Sequence, residues 1–281
     1  MERNVIEEET IVAFAQHLTT NDELAPGSVE QYVRAVRRLA AFLDGRPVSK
    51  ELAVAWKESL CAAYAPVTVN AMLVAANRFF AFQGREDCRV KTLRIQRRAF
   101  RSAERELTRD EYVKLVETAA GNGQERLALV TETICAIGIR VSELKYITVE
   151  ALKQGRADVA LKGKVRTLFL PGKLCRKLLK YAKRRKIASG EVFITGSGRS
   201  LSRKQIWAEL KALCKKAGVA AGKVFPHNLR HLFARTFYKV CRDIVKLADE
   251  LGHSSIETTR IYLISTGEEH AGSVARLGLL L

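Results

Sequence analysis

The chain has 281 residues, 47% of them hydrophobic, which is enough to fill one large core or two modest ones and too apolar for a disordered chain. Its formal net charge of +18 points to a polyanionic partner. No apolar run reaches the roughly 18 residues of a membrane span, and from the acidic start, Met1 to Thr10, no signal peptide is expected.

The basic excess is uneven. Residues 1–84 carry a net −2, residues 85–106 carry +4, and residues 107–281 carry +16. The six cysteines, at 61, 88, 135, 175, 214 and 241, form no C-x-x-C pair and mostly sit in apolar helix patterns. They read as buried, reduced thiols of an intracellular protein. His227 and His231 have the spacing of a metal pair, but no third ligand accompanies them, so no metal is expected.

Residues 7–82 read as four helices. The first spans Glu7–Leu18, with an apolar face of Ile11, Phe14, Ala15 and Leu18. Ser28-x-x-Gln31 is a capping box that opens the second, which Gly45 and Pro47 end. The third runs from about Ser49 to Cys61. The fourth follows Pro66, from Thr68 to Phe82, and Gly84 stops it. Residues 85–106 hold eight basic side chains without an apolar face and read as a solvated linker. Arg94, Arg97 and Arg98 in it could lie along a phosphate backbone.

Thr108-x-x-Glu111 is a second capping box and opens a second domain, 107–281. Helices are predicted at 109–120, 124–138 and 141–147. Two short apolar runs, 157–161 and 165–170, flank Lys162-Gly163-Lys164 and predict a tight hairpin. A basic helix follows from Lys173 to Lys186, readable as a solvated face or as a phosphate contact. A short strand is expected at Val192–Thr195, and Ser202-x-x-Gln205 caps a further helix. Helices at 227–240, 243–251 and 256–263 lead to an apolar tail. The fold class is mostly α with a small β-sheet, in two domains.

The last fifty-odd residues carry the chemistry. His227 and Arg230 lie three apart and share a helix face. Leu251-Gly252-His253 and then Tyr262 follow, and Gly138-Ile139-Arg140-Val141-Ser142-Glu143-Leu144 lies upstream. Two arginines, two histidines and a tyrosine suit phosphodiester cleavage by a protein nucleophile. Tyr262 can attack phosphorus. Arg140 and Arg230 present planar forks of donors to the nonbridging oxygens, where charge grows in the transition state. His227 can take the tyrosine proton, and His253 can hydrogen-bond a phosphate oxygen. A hairpin lysine can protonate the leaving oxygen. Glu143 reads as a residue that orients a helix or an arginine, and His231 as a packing residue.

These segments resemble the tyrosine recombinases, the phage-integrase family. Residues 138–144 match a motif like Gly-x-Arg-x-Ser-Glu-Leu, and His227 to Ala234 match one like His-x-Leu-Arg-His-x-Phe-Ala. Leu251-Gly252-His253 opens the third box, and Thr259 to Tyr262 match a segment like Thr-x-x-Tyr. The hairpin resembles the family's Lys-Gly-x-Lys-x-Arg but is one residue shorter, so Lys162 is the better match for the catalytic lysine and Lys164 stays open. The resemblance implies a helical core-binding domain at 1–84, the linker 85–106 and a catalytic domain at 107–281 with a tail at 264–281. It implies the catalytic set Arg140, Lys162, His227, Arg230, His253 and Tyr262, with DNA contacts from Arg94, Arg97, Arg98, Lys164 and Arg166. The implied partner is double-stranded DNA with paired half-sites, clamped between the two domains. Strand exchange would pass through a 3′-phosphotyrosyl bond and a Holliday junction held by four protomers, with monomers or dimers off DNA. No cofactor, metal or ATP is implied, and the implied location is the cytoplasm, at the nucleoid. A type IB topoisomerase, with a similar site but rejoining the same strand, is the nearest rival. A non-catalytic DNA-binding regulator and an RNA-binding protein are more distant ones.

Overall fold

The computed structural model describes residues 5–95, 103–161 and 164–262. The chain divides into two compact units, Met1–Arg97 and Arg98–Leu281.

Among the described residues the first unit holds four α-helices, α1 (Glu8–Thr20), α2 (Pro26–Leu43), α3 (Lys50–Ala63) and α4 (Pro66–Phe82). Their apolar faces meet in one core that includes Phe14, Leu18, Leu39, Trp56, Leu73 and Phe79. Phe14 meets the Phe79 ring edge-on at 5.2 Å, the arrangement that aromatic quadrupoles favour. Helix α2 starts two residues before the predicted box. Pro26 takes the first turn, where its fixed φ suits the helix and its missing N–H costs nothing, so Ser28 lies inside the helix and caps nothing. The expected linker also begins later than residue 85. Asn70 and Asn77, two turns apart on α4, grip the following chain. Asn77 Nδ2 donates to the Val90 carbonyl and its Oδ1 accepts from the Val90 N–H, both at 2.8 Å. Asn70 makes the same pair of bonds with Leu93, at 2.9 and 2.7 Å. Cys88 and Val90 are buried against the helices, while Arg94 is exposed. Arg97 and Arg98 lie outside the described residues.

The second unit is built around α6 (Glu125–Ile137), which is buried on nearly all sides. Thr131 and Thr133 enter that core by donating their hydroxyls to the carbonyls of Leu127 and Leu129, at 2.8 and 2.7 Å. Helix α5 (Arg109–Gly121) precedes it, opened by the predicted capping box of Thr108 and Glu111. After α6 the chain makes a 3-10 helix, Val141–Tyr146, where an α-helix was expected. A short α7 (Val149–Gln154), capped by Thr148 and ended by Gly155, was not foreseen. Strands β1 (Arg156–Leu161) and β2 (Lys164–Phe169) form the predicted hairpin, antiparallel from Arg156 opposite Phe169 to Leu161 opposite Lys164. Among the described residues no strand forms at 192–195, where the expected one is replaced by two isolated bridges, Thr148 with Glu191 and Ile194 with Ser200.

Helix α8 (Gly172–Arg184) buries Leu174, Cys175, Leu178, Tyr181 and Ala182 and turns its cations outward. Helix α9 (Arg203–Ala217) starts at Ser202, whose hydroxyl accepts from the Gln205 N–H as predicted. Three further helices follow among the described residues, α10 (Pro226–Cys241), α11 (Ile244–Leu251) and α12 (Ile256–Arg260). The chain before α5 is fixed to α10. Asn228 Nδ2 donates to the Arg105 carbonyl at 2.9 Å, and Arg235 bonds Glu106 and the Leu107 carbonyl. Cys88, Cys175 and Cys214 are buried, but Cys61 and Cys241 are exposed, because each falls on the outer side of its helix. Among the described residues no helix is long and apolar enough to cross a membrane.

Candidate active site

Helix α6 ends at Gly138, whose φ of +63° is left-handed. A Cβ there would lie 2.2 Å from the Phe233 ring of α10, so only glycine lets the chain pass so close. That passage brings Arg140 beside Gly252, whose carbonyl accepts from its Nη2 at 3.5 Å. The Arg140 guanidinium is 40% exposed and is held from behind by Glu143. Its Nη1 donates to Oε1 of that carboxylate and its backbone N–H donates to Oε2, both at 2.8 Å.

Glu143 is 1% exposed and serves a second arginine. Arg166 on β2 donates from Nη2 to Glu143 Oε2 at 2.8 Å and from Nη1 to the Glu250 carbonyl. Arg166, expected as a DNA contact, is bound through its guanidinium to the buried Glu143, because a buried carboxylate must be matched by cations and donors, and its side chain also lines the cleft of the site. Gly252 makes room for it. A Cβ there would fall 2.7 Å from the Arg166 side chain, and the Gly252 φ is +62°.

Arg230 on α10 is almost fully buried. Nη1 donates to the Gly138 carbonyl at 2.6 Å, and Nη2 donates to the Leu251 carbonyl at 2.6 Å and to His253 Nε2 at 2.9 Å. Burial, and then the nearby Arg140 cation, bring its pKa down to about 10, which leaves it charged at neutral pH. His253 follows the left-handed turn at Gly252 and bonds Thr259 Oγ1 through Nδ1 at 2.8 Å. Burial first, then Arg230, Arg140, Arg166 and His227, push its pKa down to about 4.

Tyr262 sits in a box of histidines. Its ring lies 4.3 Å from that of His231, 5.8 Å from that of His227, and stacks on His253 at 5.6 Å and 15°. His227 and His231, one turn apart on α10, meet edge-on at 4.7 Å. The phenol ring is buried. Beside this box a cleft of about 690 Å³ opens, lined by Arg140, Ser142, Arg166, Arg203, His253 and Ser254.

Arg140, His227, Arg230, His253 and Tyr262, read from three separate segments, therefore converge on one place. Lys162 lies outside the described residues, and Lys164 is placed by its backbone opposite Leu161. The apolar tail also lies outside them. Two participants carried weaker signals in the sequence. His231 was read as packing, yet its ring is nearer to Tyr262 than that of His227. Thr259 was read only as one letter of a motif. The arrangement can hold an anionic group in the cleft with forked donors, keep one imidazole neutral, and store a phenol among imidazoles that can take its proton.

Residues 105–269 match the phage integrase family. The tyrosine recombinase XerA of Pyrococcus furiosus is 30% identical over 226 residues, covering 77% of this chain and 76% of that protein. The tyrosine recombinase XerD of Mycobacterium tuberculosis is 28% identical over 287 residues, covering 90% of this chain and 92% of that one. A lambda integrase dimer bound to a core site shares the fold, with a TM-score of 0.73 at 15% identity over 91% of this chain and 94% of that one.

Proposed function

The chain belongs to the phage integrase family, and from that premise we propose that it is a site-specific DNA recombinase with Tyr262 as its nucleophile. The convergence of Arg140, Arg230, His253 and Tyr262 from three chain segments carries this reading. A scissile phosphate enters the cleft against the exposed fork of Arg140. The Tyr262 oxygen attacks phosphorus and loses its proton to the histidine pair on α10. A new P–O bond forms to the tyrosine, and the bond to the 5′-oxygen breaks. The 5′-oxygen takes a proton from Lys162, or from Lys164 in the shortened hairpin. The product is a 3′-phosphotyrosyl bond and a free 5′-hydroxyl. The ester keeps the bond energy, so a 5′-hydroxyl from a partner duplex can reverse the step without ATP. The buried phenol interacts with Arg230, the second fork of the set.

Both units engage duplex DNA at paired half-sites, with Arg94, Arg97 and Arg98 along the backbone between them. Four protomers assemble on the Holliday junction, and the tail after Tyr262 links neighbours. The protein works in the cytoplasm, on the nucleoid. The test is covalent capture on a pool of nicked duplexes with randomised half-sites. Wild-type protein should form a denaturation-resistant adduct, with the nucleotide on the peptide that contains Tyr262. Tyr262→Phe should bind the pool and form none. An adduct on the Phe variant would remove Tyr262 from the role. Relaxation of supercoils without exchange between two captured sites would favour a topoisomerase.

A further inference from the structure

The contact between Arg230 and His253 can be made by only one protonation state. A guanidinium has N–H donors and no acceptor. Arg230 Nη2 lies 2.9 Å from His253 Nε2, so that nitrogen must present a lone pair. The proton of the neutral ring is then on Nδ1, which lies 2.8 Å from Thr259 Oγ1. Thr259 is fully buried, so no water can replace its hydroxyl as the acceptor. The same residue accepts the Tyr262 N–H on its backbone carbonyl, at 2.9 Å. Its side chain thus holds the histidine, and its main chain holds the nucleophile's segment.

We propose that Thr259 is a positioning residue that fixes His253 as the Nδ1–H tautomer, and so aligns the Arg230 fork with the buried Tyr262 phenol. The proposal rests on the reading of Arg230, His253 and Tyr262 as the reacting set. A His253 ring with its proton on Nε2 would turn an N–H towards the Arg230 cation. That would break the contact and leave the Arg230 fork held by the Gly138 and Leu251 carbonyls alone. The cations facing the ring, Arg230 from α10, Arg140 from the turn after α6 and Arg166 from β2, all disfavour a second proton on it. The tautomer, rather than the charge, is therefore what remains to be set: Arg230 demands the lone pair on Nε2, and Thr259 Oγ1 is the acceptor that holds the proton on Nδ1.

Two variants separate this role from space filling. Thr259→Val keeps the shape and removes the acceptor, and Thr259→Ser keeps the acceptor and removes a methyl. In full-length protein with ¹⁵N-labelled histidine at neutral pH, long-range ¹⁵N–¹H spectra report which His253 nitrogen carries the proton. Wild type and the Ser variant should show Nδ1–H, and the Val variant a mixture or the Nε2–H form. On the nicked-duplex pool, adduct formation by the Val variant should fall roughly ten- to a hundredfold, as expected from leaving one buried donor unpaired. The Ser variant should stay near wild type, and binding of the pool should be unchanged in both. An Nε2–H ring in wild type, or a Val variant with unaltered tautomer and rate, would overturn the proposal. So would a Ser variant as impaired as Val. If wild type formed no adduct, the recombinase reading would fail, while the spectra would still decide whether Thr259 sets the tautomer.

Discussion

Glu143 is the single side chain on which two arginines of the site depend. Its oxygens accept from Arg140 and Arg166 within 2.8 Å, and water does not reach it. Glu143→Gln would leave two cations facing an amide. Breaking a buried pair from one side costs about 3–5 kcal/mol, so the denaturation midpoint should drop clearly. Cleavage should fall by about 10² or more, since Arg140 loses the support that aims it. A Gln variant with wild-type stability and rate would show that the arginines hold themselves. His253 gives a pH signature at the same scale. Its pKa stands at about 4 in the folded protein, against an ordinary value of 6.5. The unfolded chain therefore binds the proton first as pH falls. The stability contributed by the neutral ring is complete above about pH 6.5 and is lost as pH drops through 4. Denaturant midpoints should decline over that window, and His253→Gln should decline less. Equal slopes in the two proteins would mean that His253 is not held neutral.

At the scale of elements, the site depends on two places where a helix ends and the chain crosses a neighbour closely. Gly138 and Gly252 both take left-handed φ, and a Cβ at either would enter a side chain of the site's own scaffold. Gly138→Ala should cost more than the roughly 1 kcal/mol of a strained backbone alone, because Phe233 must also move. Combining it with Phe233→Leu should recover part of the loss in stability and in cleavage. No recovery would place the cost in the backbone rather than in the contact. The sequence showed that these glycines belong to motifs. It could not show which side chain forbids a Cβ, because Phe233 lies 95 positions downstream of Gly138. The helices were legible from spacing and caps, as with Thr108 and Ser202, since those signals are local. What was missed was non-local or irregular. Asn70 and Asn77 hold residues 90–93 by side-chain-to-backbone bonds that leave no periodicity. The turn after Arg140 is 3-10 rather than α, and the bond from the Arg140 N–H to Glu143 that starts it is the same one that opens the α-helix at Thr108, so the local signal does not tell the two apart. Asn77→Ala should accordingly destabilise the first unit by about 1–3 kcal/mol, with two buried backbone groups left unpaired. Unchanged melting of that unit would mean the segment is held by Cys88 and Val90 alone.

For the whole molecule, the charge map and the geometry of α8 make a joint prediction about salt. The first 84 residues are net acidic and residues 107–281 carry +16, so DNA affinity should fall steeply with salt, by about 0.9 in log–log slope for each phosphate neutralised. Charge alone would assign much of that slope to α8, whose exposed face bears Lys173, Arg176, Lys180 and Lys183. The packing argues otherwise. Lys177 pairs with Glu132 in the middle of α6, and Arg184 pairs with Glu125 at its start. Helix α8 therefore runs antiparallel to α6, and its C-terminal end lies beside the end of α6 that is remote from Arg140. With 13 residues at 1.5 Å each, that is a separation of about 20 Å along the axis. The cations bordering the cleft, Arg140, Arg166 and Arg203, lie at the site proposed for the scissile phosphate. Replacing Lys180, Lys183 and Lys186 together by Gln should change the slope by less than about 1, whereas Arg203→Gln alone should lower it by about 0.9. A loss of about 2 to 3 from the triple variant would mean that a duplex reaches along α8, and the outward face of that helix would join the DNA-binding surface.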